Sequence, residues 1–324
     1  MARNITISSV GGSPALYPGP VGDEKLVERM IAHWRRKIEA VLPDRPDLIV
    51  LPECSARYRH DGTLAREEVM RLRPILGEAM ETFLRQLAAA HRCHIVYPSV
   101  FPAEESQGLW YNGARVIDRN GGVIGQYNKN YTVVTERGTG IVCGESPALV
   151  SCDFGTLAPL ICFDLNFVEL IDAYRALRPD LLIFPSMYHG GFLQPYWAYQ
   201  CRAHFVGCMG QEPLRSEIYA PSGALLASST NYFSHVTARV NLDCALVHLD
   251  FHWEKLRALK EKYGPAVQIA DPAQVGAVLV SCESEEQCVG DLLKEFEIES
   301  LDDYFDRSRA HRRDRRNRHP GASA

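Results

Sequence analysis

Thr156-Leu-Ala-Pro-Leu-Ile-Cys162-Phe-Asp-Leu-Asn-Phe-Val-Glu169 passes from an apolar, strand-like run into a polar turn and then into a helical pattern, and a thiol stands at the change. A strand ending on a reactive side chain delivers it to the rim of a sheet. Two further runs end the same way: Asp47-Leu-Ile-Val-Leu-Pro-Glu53 on a carboxylate and Gly122-Val-Ile-Gly-Gln-Tyr-Asn-Lys129 on an ammonium. Charged ends are rare on such strands unless something uses them. Together the three runs predict one pocket holding Glu53, Lys129 and Cys162, and hence an enzyme.

Around these runs the pattern repeats a strand–helix–strand unit. Ile5 to Val10 alternates as a first strand, and Val27, Ile31, Trp34, Ile38 and Val41 recur at helical spacing until Pro43 and Pro46. A second helix, started by Pro74, is expected through Leu76, Met80, Leu84 and Leu87, leading to a strand from His94 to Phe101. The polar stretch from Arg57 to Arg73 reads as a loop over the mouth of the Glu53 pocket. Hairpins turn at Arg119 to Gly122 and at Phe154-Gly155, so the sheets are mixed. Beyond Cys162 a helix from Val168 to Leu177, a strand from Asp180 to Pro185 and a helix from Trp197 to Phe205 are expected. Strands then follow near Glu217 to Ala220, Ala224 to Ser228 and His235 to Val240.

No break in composition interrupts residues 1–250, which reads as one domain. Residues 251–306 read as an acidic, helical extension. Residues 307–324 read as a basic, disordered tail, with seven arginines among residues 307–318.

The chain has 324 residues, 46% hydrophobic and 23% charged, with a net charge of -5. That balance argues against general affinity for nucleic acid, and no window reaches the roughly 18 apolar residues of a membrane span. The N-terminus lacks the apolar core of a secretion signal, so a cytoplasmic location is expected. The ten cysteines are scattered without a Cys-x-x-Cys pair, as expected of reduced, mostly buried thiols. Zinc-type ligand spacing and phosphate-binding glycine loops are absent from the sequence.

A free thiol is a mediocre nucleophile at neutral pH. A neighbouring ammonium stabilises its thiolate, and a carboxylate takes its proton. Lys129 and Glu53 suit those tasks. Attack on an amide carbonyl builds an oxyanion, which Lys129 and the backbone N–H of Phe163 could hold, and Glu53 could then activate the water that hydrolyses the thioester. The competing reading is an ordinary Glu53–Lys129 ion pair beside a core thiol.

Leu51-Pro-Glu53, Tyr127-Asn-Lys129 with Thr135-Glu136, and Leu160-Ile-Cys162-Phe-Asp-Leu-Asn-Phe-Val-Glu169 resemble, in that order, the motifs of the nitrilase superfamily of carbon–nitrogen hydrolases. The resemblance spans residues 1 to about 250 and includes the strand around Asn112, the Gly144-Glu145 approach and the Phe184-Pro185-Ser186 strand end. It implies a four-layer α-β-β-α sandwich with mixed sheets, Glu53 as general base, Lys129 as oxyanion stabiliser and Cys162 as nucleophile, with Glu136 positioning Lys129. It implies no metal or organic cofactor, and a homodimer or higher homo-oligomer joined through helices near the nucleophile, with residues 251–306 reaching across.

Many amidase-like members carry Arg-Phe-Pro-Glu where this chain has Asn166-Phe-Val-Glu169, so recognition that depends on that arginine is absent. Nitrile-hydrolysing members show Trp-Glu after the cysteine, and Phe163-Asp164 points instead to the amidase and carbamoylase branches. Asp164 is expected to cap the following helix. Tyr188, His189, Asn166, Trp110 and Tyr111 are the candidate substrate-binding residues, with Phe192, Tyr196 and Trp197 as further aromatic walls, against core packing as the plainer reading. Cys54 should face away from Glu53. The expected function is a cysteine amidohydrolase acting on a small linear amide or N-carbamoyl compound and releasing ammonia. Nitrile hydrolysis, amide-dependent acyl transfer and a non-catalytic scaffold role are the alternatives.

Overall fold

Apolar alternation in the first half of the chain resolves into one sheet and that of the next quarter into another, stacked face to face. The computed structural model describes residues 1–60, 62, 64–103, 108–314 and 317, and the chain divides into two units, residues 5–240 and residues 1–4 with 241–324. In the first unit lie β1 (Asn4–Val10), β2 (Leu48–Val50), β3 (His94–Pro102), β4 (Trp110–Ile117), β5 (Val123–Asn128) and β6 (Ile141–Val142). Next come β7 (Val150–Ser151), β8 (Thr156–Pro159), β9 (Leu181–Ser186), β10 (His204–Met209), β11 (Glu217–Tyr219), β12 (Leu225–Ser228) and β13 (His235–Asn241).

Sheet order is β13-β1-β2-β3-β4-β5, with β6 beside β4, and β12-β11-β10-β9-β8-β7. The central strands β1-β2-β3 and β8-β9-β10 run parallel, and the flanking hairpins run antiparallel. Ser9 Oγ donates to the Gly207 carbonyl at 3.0 Å, and Cys208 Sγ to the Val50 carbonyl at 3.3 Å, joining the two inner faces.

Helices α1 (Asp23–Glu39) and α2 (Arg66–His91) cover the first sheet. Their apolar stripes, Met30, Trp34 and Ile38 with Leu76, Met80 and Leu84, pack on Ile49, Ile95 and Tyr97. On the second sheet α3 (Val168–Leu177) and α4 (Leu193–Cys201) bury Ile171, Tyr174 and Trp197 against Leu182, Phe184 and Phe205. This is the α-β-β-α sandwich with mixed sheets.

Several elements differ from expectation. The second helix begins at Arg66, and Pro74 lies inside it. Proline at an exposed position removes one backbone donor without entering the core, and Leu72, Leu76 and Met80 carry the buried stripe straight across it. The loop expected at residues 57–73 is therefore helical from residue 66. The helix expected at Trp197 to Phe205 runs instead from Leu193 to Cys201, and Phe205 belongs to β10, a fully buried strand with no alternation to reveal it.

The second unit is not a helical extension. It holds β14 (Cys244–His248), α5 (Trp253–Tyr263), β15 (Val267–Ala270), β16 (Ala277–Cys282), α6 (Val289–Glu295) and α7 (Leu301–Arg313), with an antiparallel sheet of order β14-β16-β15. The boundary falls at residue 240 rather than 250 because β14 pairs with β16. The first arginines of the expected tail are helical: Ser300 caps α7, accepting from Asp303 N–H at 3.2 Å, and Arg307 pairs with Glu299 at 2.8 Å. Residues 315–316 and 318–324 lie outside the described residues. All ten cysteines are free thiols, and among the described residues no helix is long and apolar enough to cross a membrane.

Candidate active site

Each of the three reactive side chains sits just past the end of a strand: Glu53 after β2, Lys129 after β5, Cys162 after β8. Glu136 joins them from a 3-10 turn, Val134–Thr139. The Lys129 side chain is 1% exposed and donates to Glu53 Oε1 at 3.2 Å and to Glu136 Oε2 at 3.1 Å. Asn112 on β4 bridges the same two carboxylates, donating to Glu53 Oε1 at 2.8 Å and to Glu136 Oε1 at 3.0 Å. Backbone N–H groups complete the set, Met187 on Glu53 Oε2 at 3.1 Å and Val133 on Glu136 Oε2 at 2.7 Å. Gly144 N–H holds the Lys129 carbonyl at 2.7 Å, and a Cβ at residue 144 would stand 2.2 Å from the Asn128 carbonyl oxygen. Only glycine permits that approach.

Burial disfavours the Lys129 charge, but Glu53, Cys162 and Glu136 outweigh it and hold the ammonium above its ordinary range. Cys162 opens a 3-10 turn, Cys162–Asn166, at φ 50°, a left-handed conformation costly for a residue with a side chain. Burial, joined by the charge of Glu53, pushes its thiol up to about 12 against the opposing pull of Lys129, Met187 N–H and Ser186. Lys129 pulls the thiol down, as expected of it, and burial is the larger, opposing effect.

Asp164 differs from expectation as well. It does not cap α3, whose N-cap is Phe167. It is fully buried and braces the nucleophile turn, with Oδ2 accepting from Ile161 N–H at 2.8 Å and Tyr127 Oη at 2.7 Å, and Oδ1 from Tyr131 N–H at 2.8 Å. These bonds tie the turn carrying Cys162 to the strand end carrying Lys129. Burial lifts the Asp164 carboxyl to about 6 despite those donors.

The remaining candidates separate. Phe163 lies at the start of the 3-10 turn, where the first N–H groups lack partners within the turn. Asn166 is exposed and donates to the Phe163 carbonyl at 2.9 Å and to Tyr188 Oη at 3.0 Å, so it holds an aromatic side chain within the electrostatic reach of Cys162. His189 is tied into its loop: Nδ1 accepts from Gly191 N–H at 3.1 Å, and Nε2 meets Glu217 at 3.0 Å. Strand alternation puts Trp110 on the same face of β4 as Asn112 and Tyr111 on the other. Trp197 is core, with Nε1 on the Leu165 carbonyl, whereas Phe192 is 77% exposed.

A cavity of about 520 Å³ adjoins the cluster, with Asn112 and Glu136 in its wall together with residues that follow Glu53 and the first turns of α2. Cys54 lines it, at φ 64° in the turn beyond β2, where strand alternation no longer applies. Sequence reasoning missed the roles of Asn112, Asp164 and Met187. A lone amide within the apolar run Asn112-Gly-Ala-Arg-Val-Ile117 was the available signal for the first.

Stacked mixed sheets between helix layers, with a thiol, an ammonium and two carboxylates at the sheet rims, define an α/β sandwich with one reactive cluster. The chain belongs to the carbon–nitrogen hydrolase family, whose family model matches residues 9–208. It is 27% identical over 139 residues to a probable nitrilase of Schizosaccharomyces pombe, covering 43% of this chain and 47% of that protein. It is 29% identical over 103 residues to the deaminated glutathione amidase of Dictyostelium discoideum, covering 29% and 35%. The matched stretch spans less than half the length of these relatives. Among solved structures it resembles a carbon–nitrogen hydrolase of Helicobacter pylori with a TM-score of 0.61 at 15% identity, over 81% of this chain and 93% of that one, a likeness of fold.

Proposed function

We propose that the protein is a cysteine amidohydrolase that cleaves a small linear amide or N-carbamoyl compound through a thioester on Cys162. The observation that carries this reading is the buried Lys129 ammonium, held between Glu53 and Glu136 beside a thiol on a strained turn. An ordinary surface ion pair has no need of two carboxylates, a bridging amide and a peptide N–H to fix it.

In this mechanism Cys162 Sγ attacks the amide carbonyl as its proton passes to Glu53. The transfer accompanies attack, because a thiol pushed to about 12 does not surrender its proton to a carboxylate beforehand. Lys129 and the Phe163 N–H take the developing oxyanion. Glu53 then protonates the departing amine, the C–N bond breaks and a thioester remains. Water, deprotonated by Glu53, adds to the thioester; the C–S bond breaks and the thiol regains its proton. For an N-carbamoyl group the acid released is carbamic acid, which breaks down to ammonia and carbon dioxide.

The relative named an amidase supports the substrate class. The relative named a probable nitrilase supports a second reading, attack on a nitrile carbon through a thioimidate. Intact-mass spectrometry and ammonia release over a panel of amides, carbamoyl compounds and nitriles separate the two. The expected result is an acyl adduct and ammonia with wild type on amides, and neither with Cys162→Ala. Ammonia release undiminished in Cys162→Ala would overturn the thioester route.

A further inference from the structure

Between β9 and α4 the chain passes the reactive cluster on a strap, residues 187–191, that holds two consecutive glycines with positive φ, 79° at Gly190 and 57° at Gly191. Such a sequence has little stiffness of its own. The strap nevertheless meets both reactive partners. Its first N–H, at Met187, donates to Glu53 Oε2 at 3.1 Å, and the same N–H draws down the Cys162 thiol. Tyr188 is held by Asn166 of the nucleophile turn, and a Cβ at residue 190 would stand 2.2 Å from Leu165 Cδ2 of that turn. A loose strap would therefore blur the placing of the base and of the groups around the nucleophile together.

The stiffness comes from outside the strap. Ser186 Oγ donates to the Tyr188 carbonyl at 2.6 Å and accepts from Tyr188 N–H at 3.0 Å, and Gln194 Nε2 donates to the His189 carbonyl at 2.5 Å. The remaining tie is the His189 imidazole. Its Nδ1 accepts from Gly191 N–H at 3.1 Å, so the ring proton stands on Nε2, which donates to Glu217 Oε2 at 3.0 Å. Glu217 belongs to β11, and β10 lies between that strand and β9, where the strap begins. Burial raises the Glu217 carboxyl, but its donors His189, Tyr219 and Ser228 outweigh burial and hold it below the ordinary range. A fixed anion in that place selects the tautomer with hydrogen on Nε2 and leaves Nδ1 to accept from Gly191. Among the described residues neither His189 nor Glu217 bonds to Glu53, Lys129 or Cys162 through its side chain.

On the amidohydrolase reading above, we propose that His189 and Glu217 are positioning residues: their hydrogen bond ties the strap to β11 and so fixes Met187 N–H on Glu53 and Tyr188 beside the nucleophile turn. Glu217 sets the imidazole tautomer, the imidazole sets the glycine turn, and the turn sets the peptide that orients the general base. The pair acts on rate through Glu53 and touches no reacting atom.

The test compares wild type with His189→Asn, His189→Gln, Glu217→Ala and the double variant of His189→Asn and Glu217→Ala, on an amide that wild type hydrolyses. Asparagine still accepts from Gly191 N–H but is too short for Glu217, so the local turn survives while the tie is cut. His189→Asn and Glu217→Ala should each lower kcat by about tenfold or more with KM nearly unchanged, as misplacement of a base does. The double variant should be no slower than the worse single one, since both changes remove the same tie. Glutamine, whose amide N–H can reach Glu217, should recover part of the rate. Unchanged kcat in both single variants, losses that multiply in the double variant, or a loss confined to KM would overturn the proposal. If wild type hydrolyses no amide, the hydrolytic reading fails, and alkylation of Cys162 by iodoacetamide decides this one. Loss of the Met187 donor should slow alkylation at about pH 9 by about threefold or more in both single variants, and an equal or faster rate refutes the proposal.

Discussion

Cys162 combines a left-handed backbone with a thiol pushed up by burial and by Glu53. A thiol whose native value, about 12, exceeds its ordinary value near 9 favours the protonated, folded state. That contribution is full below pH 9 and is lost as pH rises toward the native value. Alkylation of Cys162 by iodoacetamide, followed by intact mass, should accelerate steadily above pH 9 with no plateau near neutrality. A plateau at pH 6 to 7 would mean a preformed thiolate paired with Lys129 and would sink the concerted proton transfer. The positions of Glu53, Lys129 and Cys162 at strand ends were legible in the sequence, since apolar runs rarely end on such groups. Glu136 was named there only through the resemblance, and the bridging of both carboxylates by Asn112 was not legible, because Asn112 lies far from Glu53 in sequence and meets it only in the fold.

Elements rather than single residues hold the nucleophile turn against the end of β5, and Asp164 is the joint between them. Asp164→Asn keeps the size but replaces one accepting oxygen with a donor, so at least one of Ile161 N–H, Tyr131 N–H and Tyr127 Oη loses its partner. An unsatisfied buried group of this kind costs about 1–3 kcal/mol. Urea unfolding should show that loss together with reduced ammonia release, and an unchanged unfolding midpoint would refute the bracing role. Elements with a one-sided apolar pattern, such as α1 and the β4–β5 hairpin, could be read from sequence. The start of α2 could not, because Pro74 is a strong local signal that eight preceding residues of cavity-facing and solvent-facing helix outweigh. The strand β10 was hidden for the opposite reason: buried on both faces, it shows no period at all.

At the scale of the whole chain, residues 241–324 build their own sheet and core, with Val247, Leu259, Val280 and Leu292 among its buried residues. Acidic composition concealed it, since the short strands β15 and β16 are separated only by a polar turn. Helix α7 closes this unit: Leu301 is buried, Tyr304 stacks on His248 at 4.0 Å, and its hydroxyl reaches Asp250 at 3.0 Å. Ending the chain after Asp314 should leave thermal unfolding and ammonia release unchanged. Ending it after Ser300 should cost about 2 kcal/mol or more, through loss of the Leu301 and Tyr304 packing. Equal stability of the two truncations would place α7 outside the folded unit.

The position of β1 in its sheet bears on how the protein is made. Its neighbours are β2, close by in sequence, and β13, at residues 235–241, while Arg3 bonds to Asn241 and Leu242. A ribosome must therefore deliver more than two hundred further residues before β1 acquires its second partner, β13. During that interval an apolar strand keeps one open edge, the condition under which nascent chains pair wrongly or recruit chaperones. For this fold β1 is made long before both its edges are secured.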